Sequence, residues 1–222
     1  MQSHISRFVV PRAFLLDFDG VIVDSAELKT AAFAEIYARE TPDQLEQIIA
    51  YQRYHGGVSR RSKFAYFERE FLHREASEAK LDALCLQFSD LVVAKVIAAP
   101  LMPGAHEFLE AARLVSDLYV ISGTPEVELN HILAEKELGR YFQGVHGAPQ
   151  TKIDAFRSIL QTRGYEPKQT VAVGDAITEC EAAASLGIPF IGVTPPQHDA
   201  GFPADVPQIR HLTALSRQFR LI

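Results

Sequence analysis

The stretch Phe14-Leu15-Leu16-Asp17-Phe18-Asp19-Gly20-Val21-Ile22-Val23-Asp24-Ser25 runs apolar up to two aspartates set two positions apart, then meets a glycine. At the end of an extended strand, alternate side chains share a side, so Asp17 and Asp19 point together while Phe18 points away. Two carboxylates held that close repel each other unless a cation sits between them or one keeps a proton. A strand end bearing this pair predicts a hard-cation site with oxygen ligands, Mg²⁺ above all.

Other short apolar runs recur along the chain: Ala13 to Leu16 is followed by Leu118 to Ile121, Thr170 to Val173 and Pro189 to Val193. Helical periodicity fills the later gaps, as in Ile153, Phe156, Ile159 and Leu160, with Thr151 placed to cap that helix and Gly164 to close it. Continuous apolar strands alternating with helices predict an α/β fold, a doubly wound parallel sheet covered on both faces. Ligands of such sheets bind beyond the carboxyl ends of the strands. Asp17, Ser122 and Asp175 each fall just after one of the runs.

Between the first run and Leu118 the alternation stops. Phe64, Phe67 and Phe71 follow helical spacing, as do Leu81, Leu84, Phe88, Leu91 and Val92. Such stripes read as packing faces. The excess length predicts an inserted helical cap over residues 26–100, leaving residues 1–25 and 101–222 as the core. Its hinges would be Gly20 to Ser25 and the Pro- and Gly-bearing segment Ala98 to Gly104. Asp24 and Ser25 read as caps of the first cap helix. A polar loop from Pro195 and a closing helix around Leu212 to Phe219 complete the reading.

Composition narrows the function classes. The 222 residues carry a formal charge of −6, 47% hydrophobic and 23% charged residues, ordinary for a globular protein. That charge argues against nucleic acid or an anionic membrane bound through bulk electrostatics. No apolar run approaches membrane-spanning length, and the first twelve residues lack a signal-peptide pattern. The expectation is a complete, cytoplasmic protein. Cys85 and Cys180 lie far apart, outside any metal-ligand spacing, and read as reduced, buried thiols. Nothing in the sequence sets an oligomeric state.

Four ordered segments resemble the motifs of the haloacid dehalogenase (HAD) superfamily, in particular its phosphoglycolate phosphatase and β-phosphoglucomutase-like members with a helical cap. They are Asp17-Phe18-Asp19-Gly20-Val21, then Ser122 in Val120-Ile121-Ser122-Gly123-Thr124, then Lys152, then Gly174-Asp175-Ala176-Ile177-Thr178-Glu179. The resemblance implies a phosphatase acting on a small phosphorylated metabolite. Asp17 would be the nucleophile toward phosphorus, and Asp19 the acid for the leaving alcohol, then the base for water. Ser122 and Lys152 would hold phosphoryl oxygens, with Gly20 and Gly123 beside them. Mg²⁺ would be held by Asp17, the Asp19 carbonyl and Asp175, with Glu179 a further candidate, directly or through water.

A second cluster, His55-Gly56-Gly57-Val58-Ser59-Arg60-Arg61-Ser62-Lys63, puts three cations in the first turn of a helix, where the dipole disfavours them. A bound anion would reconcile them. By resemblance, Gly57 and Arg60 belong to a substrate-specificity segment, Arg60 holding the part of the substrate that is not transferred. His55 is a candidate hydrogen-bond partner. Lys29 stands where many relatives carry histidine, and would suit a more anionic substrate if it faces the cleft. Gly174, where mutases of this kind place a second carboxylate, favours hydrolysis over the phosphomutase alternative. A non-catalytic phosphate-binding protein is the remaining alternative, disfavoured by the intact set Asp17, Asp19, Ser122, Lys152 and Asp175.

Overall fold

Four apolar residues, too few for a helix, form the first strand of a parallel sheet in the computed structural model of the chain, which describes residues 10–194 and 201–221. After β1 (Ala13–Leu16) come α1 (Ala26–Ile36), α2 (Pro42–Tyr54), α3 (Arg60–Tyr66), a π-helical turn (Phe67–Phe71) and α4 (Glu78–Ala98). The chain then returns through α5 (Ala105–Ala112) to β2 (Asp117–Pro125), α6 (Glu126–Glu135), β3 (Gly144–Ala148) and α7 (Lys152–Arg163). It closes with β4 (Thr170–Gly174), α8 (Ile177–Ser185), β5 (Phe190–Val193), β6 (Gln208–Ile209) and α9 (Leu212–Gln218).

The sheet runs β3-β2-β1-β4-β5-β6 with every pairing parallel. Leu16 lies opposite Val120 on one side and Val173 on the other, so β1 is a central strand. From β1 the chain winds outward to β3, then crosses back to β4. The strand order therefore reverses between β1 and β4, and a crevice opens at their carboxyl ends.

The sheet's two faces sort by strand alternation. Phe14, Leu16, Val120 and Val173 join one buried cluster, while Leu15, Tyr119, Ile121 and Ala172 join the other with Phe156 and Ile159 of α7. Phe14 meets Phe108 of α5 and Phe219 edge-on, each with ring centroids 5.2 Å apart. Thr151 caps α7 by accepting from the Asp154 N–H at 3.3 Å, and Gly164 ends it at φ +63°.

The helices between β1 and β2 pack on an aromatic cluster of their own. Phe33 of α1 lies 5.1 Å from Phe64, 5.5 Å from Phe67 and 4.5 Å from Phe88 of α4. Leu81, Phe88, Val92 and Val96 form the buried stripe of α4. The two connections to the sheet lie side by side: Met102 N–H donates to Ile22 O at 2.9 Å, Asp24 N–H donates to Pro100 O at 3.0 Å, and Val23 bridges Leu101 antiparallel.

Several expectations need correction. Strand β3, Gly144-Val145-His146-Gly147-Ala148, carries two glycines and a histidine and so lacks the apolar run that marks a strand. Two-residue β6 is too short to leave a pattern. Strand β2 continues past Ile121 to Pro125 through a shift in register, so Ser122 lies within it, not after it. Phe67 to Phe71 is a π-turn, a local widening that helical spacing does not distinguish. Cys180 is buried, but Cys85 is only half-buried; both are free. Among the described residues no helix is long and apolar enough to cross a membrane. The reading of the chain start falls largely on residues 1–9, and part of the polar loop on residues 195–200; both lie outside the described residues.

Candidate active site

The crevice between β1 and β4 gathers the chemistry. Where β1 ends, the Asp17 N–H still donates to Val173 O at 2.9 Å, and its side chain is buried. Lys152, the first residue of α7, reaches across to donate to Asp17 Oδ1 and, at 2.6 Å, to the Ile121 carbonyl. Lys152 also pairs with Glu179 at 3.1 Å. Asp19 is held by Ser25 Oγ at 2.6 Å, Lys29 Nζ at 2.5 Å and Ser122 Oγ at 3.3 Å. Lys29 donates as well to Thr124 Oγ1 at 2.6 Å, so it faces the cleft. Gly20 turns at φ +76°, and a Cβ there would overlap the Asp175 carboxylate, which lies against that turn.

Charge is unevenly shared here. Burial pushes the Asp17 carboxyl up to about 7, with the Glu179 and Asp19 charges adding to it against the pull of Lys152. Burial, then Asp17 and Glu179, hold Asp175 well above the ordinary carboxylate range. Burial also works against a charged Asp19, but Lys29 and Ser25 outweigh it and hold that carboxyl low. Burial opposes the Lys152 ammonium too, yet Asp17 and Glu179 leave it above its usual range.

This donor set fits a small divalent cation, since both carboxyls are pushed up by burial and neighbouring charge, Asp17 acting on Asp175, and a cation would relieve both. Among the described residues no three His, Cys, Asp or Glu side chains form a metal-ligand cluster. Two carboxylates with a main-chain carbonyl and water are enough for Mg²⁺, which keeps several waters when bound. Glu179 is a different matter. Its Oε2 accepts from the Ala176 N–H at 3.0 Å, and its Oε1 faces Lys152 and Thr178. Its carboxylate caps α8 and steadies the lysine, and its charge still acts on Asp17 and Asp175.

The helical insertion roofs the site. A Cβ at Gly57 would overlap Glu179 Oε1, and one at Gly123 would come within 2.9 Å of the Gly57 carbonyl. The glycines before α3 thus let the roof lie directly on the floor. The three cations after them have partners within the protein. Arg60 forks onto Glu128 of α6, with Nη1 donating at 2.9 Å, and also donates to Ser89 Oγ at 2.6 Å. Arg61 pairs with Glu78 and Asp82 of α4. Lys63 turns inward to Gln52 Oε1 at 2.6 Å and Gly56 O at 3.2 Å. The anion inferred for the first turn of α3 is therefore replaced by the carboxylates of α4 and α6. Arg60 keeps a place in the cavity wall with its guanidinium engaged.

Beneath the roof a cavity of about 50 Å³ has Asp17, Asp19, Lys29, Lys63, Ser122 and Asp175 among its lining residues. His55 is not part of that lining; its ring packs 4.1 Å from Tyr51, and burial, then Lys63, pushes its pKa down. Sequence reasoning also missed Ser25, whose hydroxyl holds Asp19 and does not cap α1. Thr124 was legible in principle, because it stands two positions after Ser122 on the same strand face. Nothing in the sequence marked Gln52 or Glu128.

A family model for haloacid dehalogenase-like hydrolases matches residues 11–187, and the chain belongs to that family. It is an enzyme of the hydrolase class. It is similar to phosphoglycolate phosphatase 1 of Pseudomonas aeruginosa, with 27% identity over 194 residues, covering 83% of this chain and 70% of that protein. Its fold matches a mutant CbbY from Rhodobacter sphaeroides in complex with xylulose-(1,5)bisphosphate at TM-score 0.72 and 18% identity, covering 92% and 96% of the two chains. YfnB from Bacillus subtilis, described as a HAD-hydrolase bound to magnesium, matches at TM-score 0.69 and 17% identity, covering 95% and 99%.

Proposed function

We propose that this enzyme is a Mg²⁺-dependent phosphatase that hydrolyses a small phosphomonoester through a phosphoryl group carried on Asp17. The observation that carries the reading is the convergence of Asp17, Asp19 and Ser122 on one small roofed cavity at the strand-order reversal, with Lys152 bonded to Asp17. The phosphoglycolate phosphatase relatives support the reaction class. Asp17 attacks phosphorus, and the ester oxygen leaves with a proton from Asp19. Asp19 then takes a proton from the water that attacks the phosphorylated Asp17, which regenerates the carboxylate and releases inorganic phosphate. Lys152 fixes the Asp17 carboxylate and offsets charge on the transferring group. Ser122 lies within reach of Asp19 and is placed to donate to a phosphoryl oxygen.

Asp17, Asp175 and the Asp19 carbonyl would hold the metal. When bound, Mg²⁺ supplies positive charge that offsets the repulsion between nucleophile and phosphate. Lys29 and Ser25 keep Asp19 ionised in the free site, so the acid role requires that Lys29 be drawn away as substrate enters. The roof of Gly56 to Val58 excludes bulk water while the phosphorylated enzyme waits for one molecule of it.

The test is phosphate release with Mg²⁺ across a panel including 2-phosphoglycolate and glucose 1-phosphate, with Asp17→Asn as control. Release that disappears with chelator and in the variant is the expected result. Glucose 6-phosphate formed from glucose 1-phosphate without release would overturn hydrolysis in favour of a mutase. Release that persists in the variant would sink Asp17 as nucleophile.

A further inference from the structure

Lys63 is the unusual cation of the cavity. It is 2% exposed, yet among the described residues its ammonium has only neutral acceptors, Gln52 Oε1 at 2.6 Å and Gly56 O at 3.2 Å. Among the described residues no carboxylate forms an ion pair with it. The other cations lining the same cavity are matched: Lys29 pairs with Asp19, and Arg60 pairs with Glu128. Buried charges are ordinarily paired, because leaving water without a counter-charge is strongly unfavourable. The aromatic ring of Phe33 stands 5.8 Å from the ammonium and Phe88 also lines the cavity, while the carboxylates of the floor act on the lysine through space without forming an ion pair with it.

We infer that Lys63, steadied by Gln52, is the specificity-determining anchor of the roof, and that its missing partner is a carboxylate on the leaving group of the substrate. This rests on the phosphatase reading above and narrows it to phosphate esters of short hydroxy acids. The phosphoryl group faces Asp17, Ser122 and Lys152 on the floor, and the carboxylate faces Lys63 on the roof. The small cavity closed by the roof favours a compact acid over a sugar or a nucleoside. Gln52 contributes by holding the ammonium at the cavity wall in the free enzyme, which reduces the ordering that binding would otherwise require.

The test measures binding without turnover. In the full-length Asp17→Asn protein with Mg²⁺, calorimetry gives the dissociation constants of 2-phosphoglycolate and of ethyl phosphate, which lacks the carboxylate. The expected preference for the carboxylated ester falls by about a hundredfold on adding Lys63→Met, the loss of one charge-assisted contact in a dry site. Lys63→Arg, which keeps the charge, restores at least part of it; a purely structural role would not follow charge in this way. An unchanged preference in Lys63→Met, or binding of neither ester, would overturn the anchor. A Lys63-dependent preference in a protein that releases no phosphate would retain the anchor and overturn the phosphatase. Release with a preference indifferent to Lys63 would do the reverse.

Discussion

Removing Glu128 should strand a cation between the roof and the core. Arg60 is 5% exposed and Glu128 12%; two guanidinium nitrogens face the carboxylate, and Ser89 bonds both partners. Breaking a fully buried pair from one side costs about 3–5 kcal/mol. Here Arg60 keeps Ser89 and the Phe88 ring 4.7 Å away, so Glu128→Ala should cost about 3 kcal/mol. Arg60→Met should cost about 2 kcal/mol, since Glu128 lies nearer solvent and retains Ser89. The double variant strands neither charge and should cost about 3 kcal/mol, which leaves a coupling of about 2 kcal/mol. Urea unfolding of the four proteins, with unchanged slopes, measures the cycle. Single effects that add to within about 0.5 kcal/mol would refute the pairing as described.

Lys63 predicts a pH effect on stability. Burial, then the nearby Lys29, pushes its ammonium down to about 7 from 10.5, against the pull of Glu179, Asp19 and Asp175. Between those values the unfolded chain binds the extra proton, so this group makes stability rise with pH from about 7 to 10.5. The difference in urea midpoint between wild type and Lys63→Met should change across that window, the variant being the more stable near pH 7; a constant difference would count against a buried, proton-shedding lysine. Phe14→Ala removes a fully buried ring between Phe108 and Phe219 and should cost about 3–5 kcal/mol in the same assay. Gly57→Ala forces the roof off Glu179, and kcat/KM for phosphate release should fall by about a hundredfold, with a thermal midpoint near that of wild type.

The sequence disclosed those parts of the fold that announce themselves locally. Buried central strands such as Ala13–Leu16 and Thr170–Gly174 read as apolar runs because both faces are covered. Edge-ward β3 did not, since its place depends on pairing with β2 and not on its own residues. Asp17 and Asp19 were legible because side-chain direction at a strand end follows from the backbone, whereas Ser122 and Lys152 were legible only through the order of the motifs. The roof was harder. Arg60, Arg61 and Lys63 are adjacent in sequence, yet one meets α6, one meets α4 and one turns into the cavity. Their counter-charges lie up to 68 positions away, beyond the reach of any local pattern. Glu179 was read by analogy with a metal ligand, whereas its contacts with Ala176 and Lys152 depend on how α8 meets α7.

The paired connections at Val23 and Leu101 have a wider consequence. The chain leaves the sheet and re-enters it through one short ladder, Asp24 to Pro100 and Met102 to Ile22. For the sheet, everything between those points is a closed loop with a fixed mouth. Such a loop can lengthen, shorten or be rebuilt without changing strand order, because its two ends stay where they were. On the proposed reading, selection could therefore revise what the enzyme accepts by rewriting the loop, while Asp17 and Asp19 remain on a frame that never registers the change.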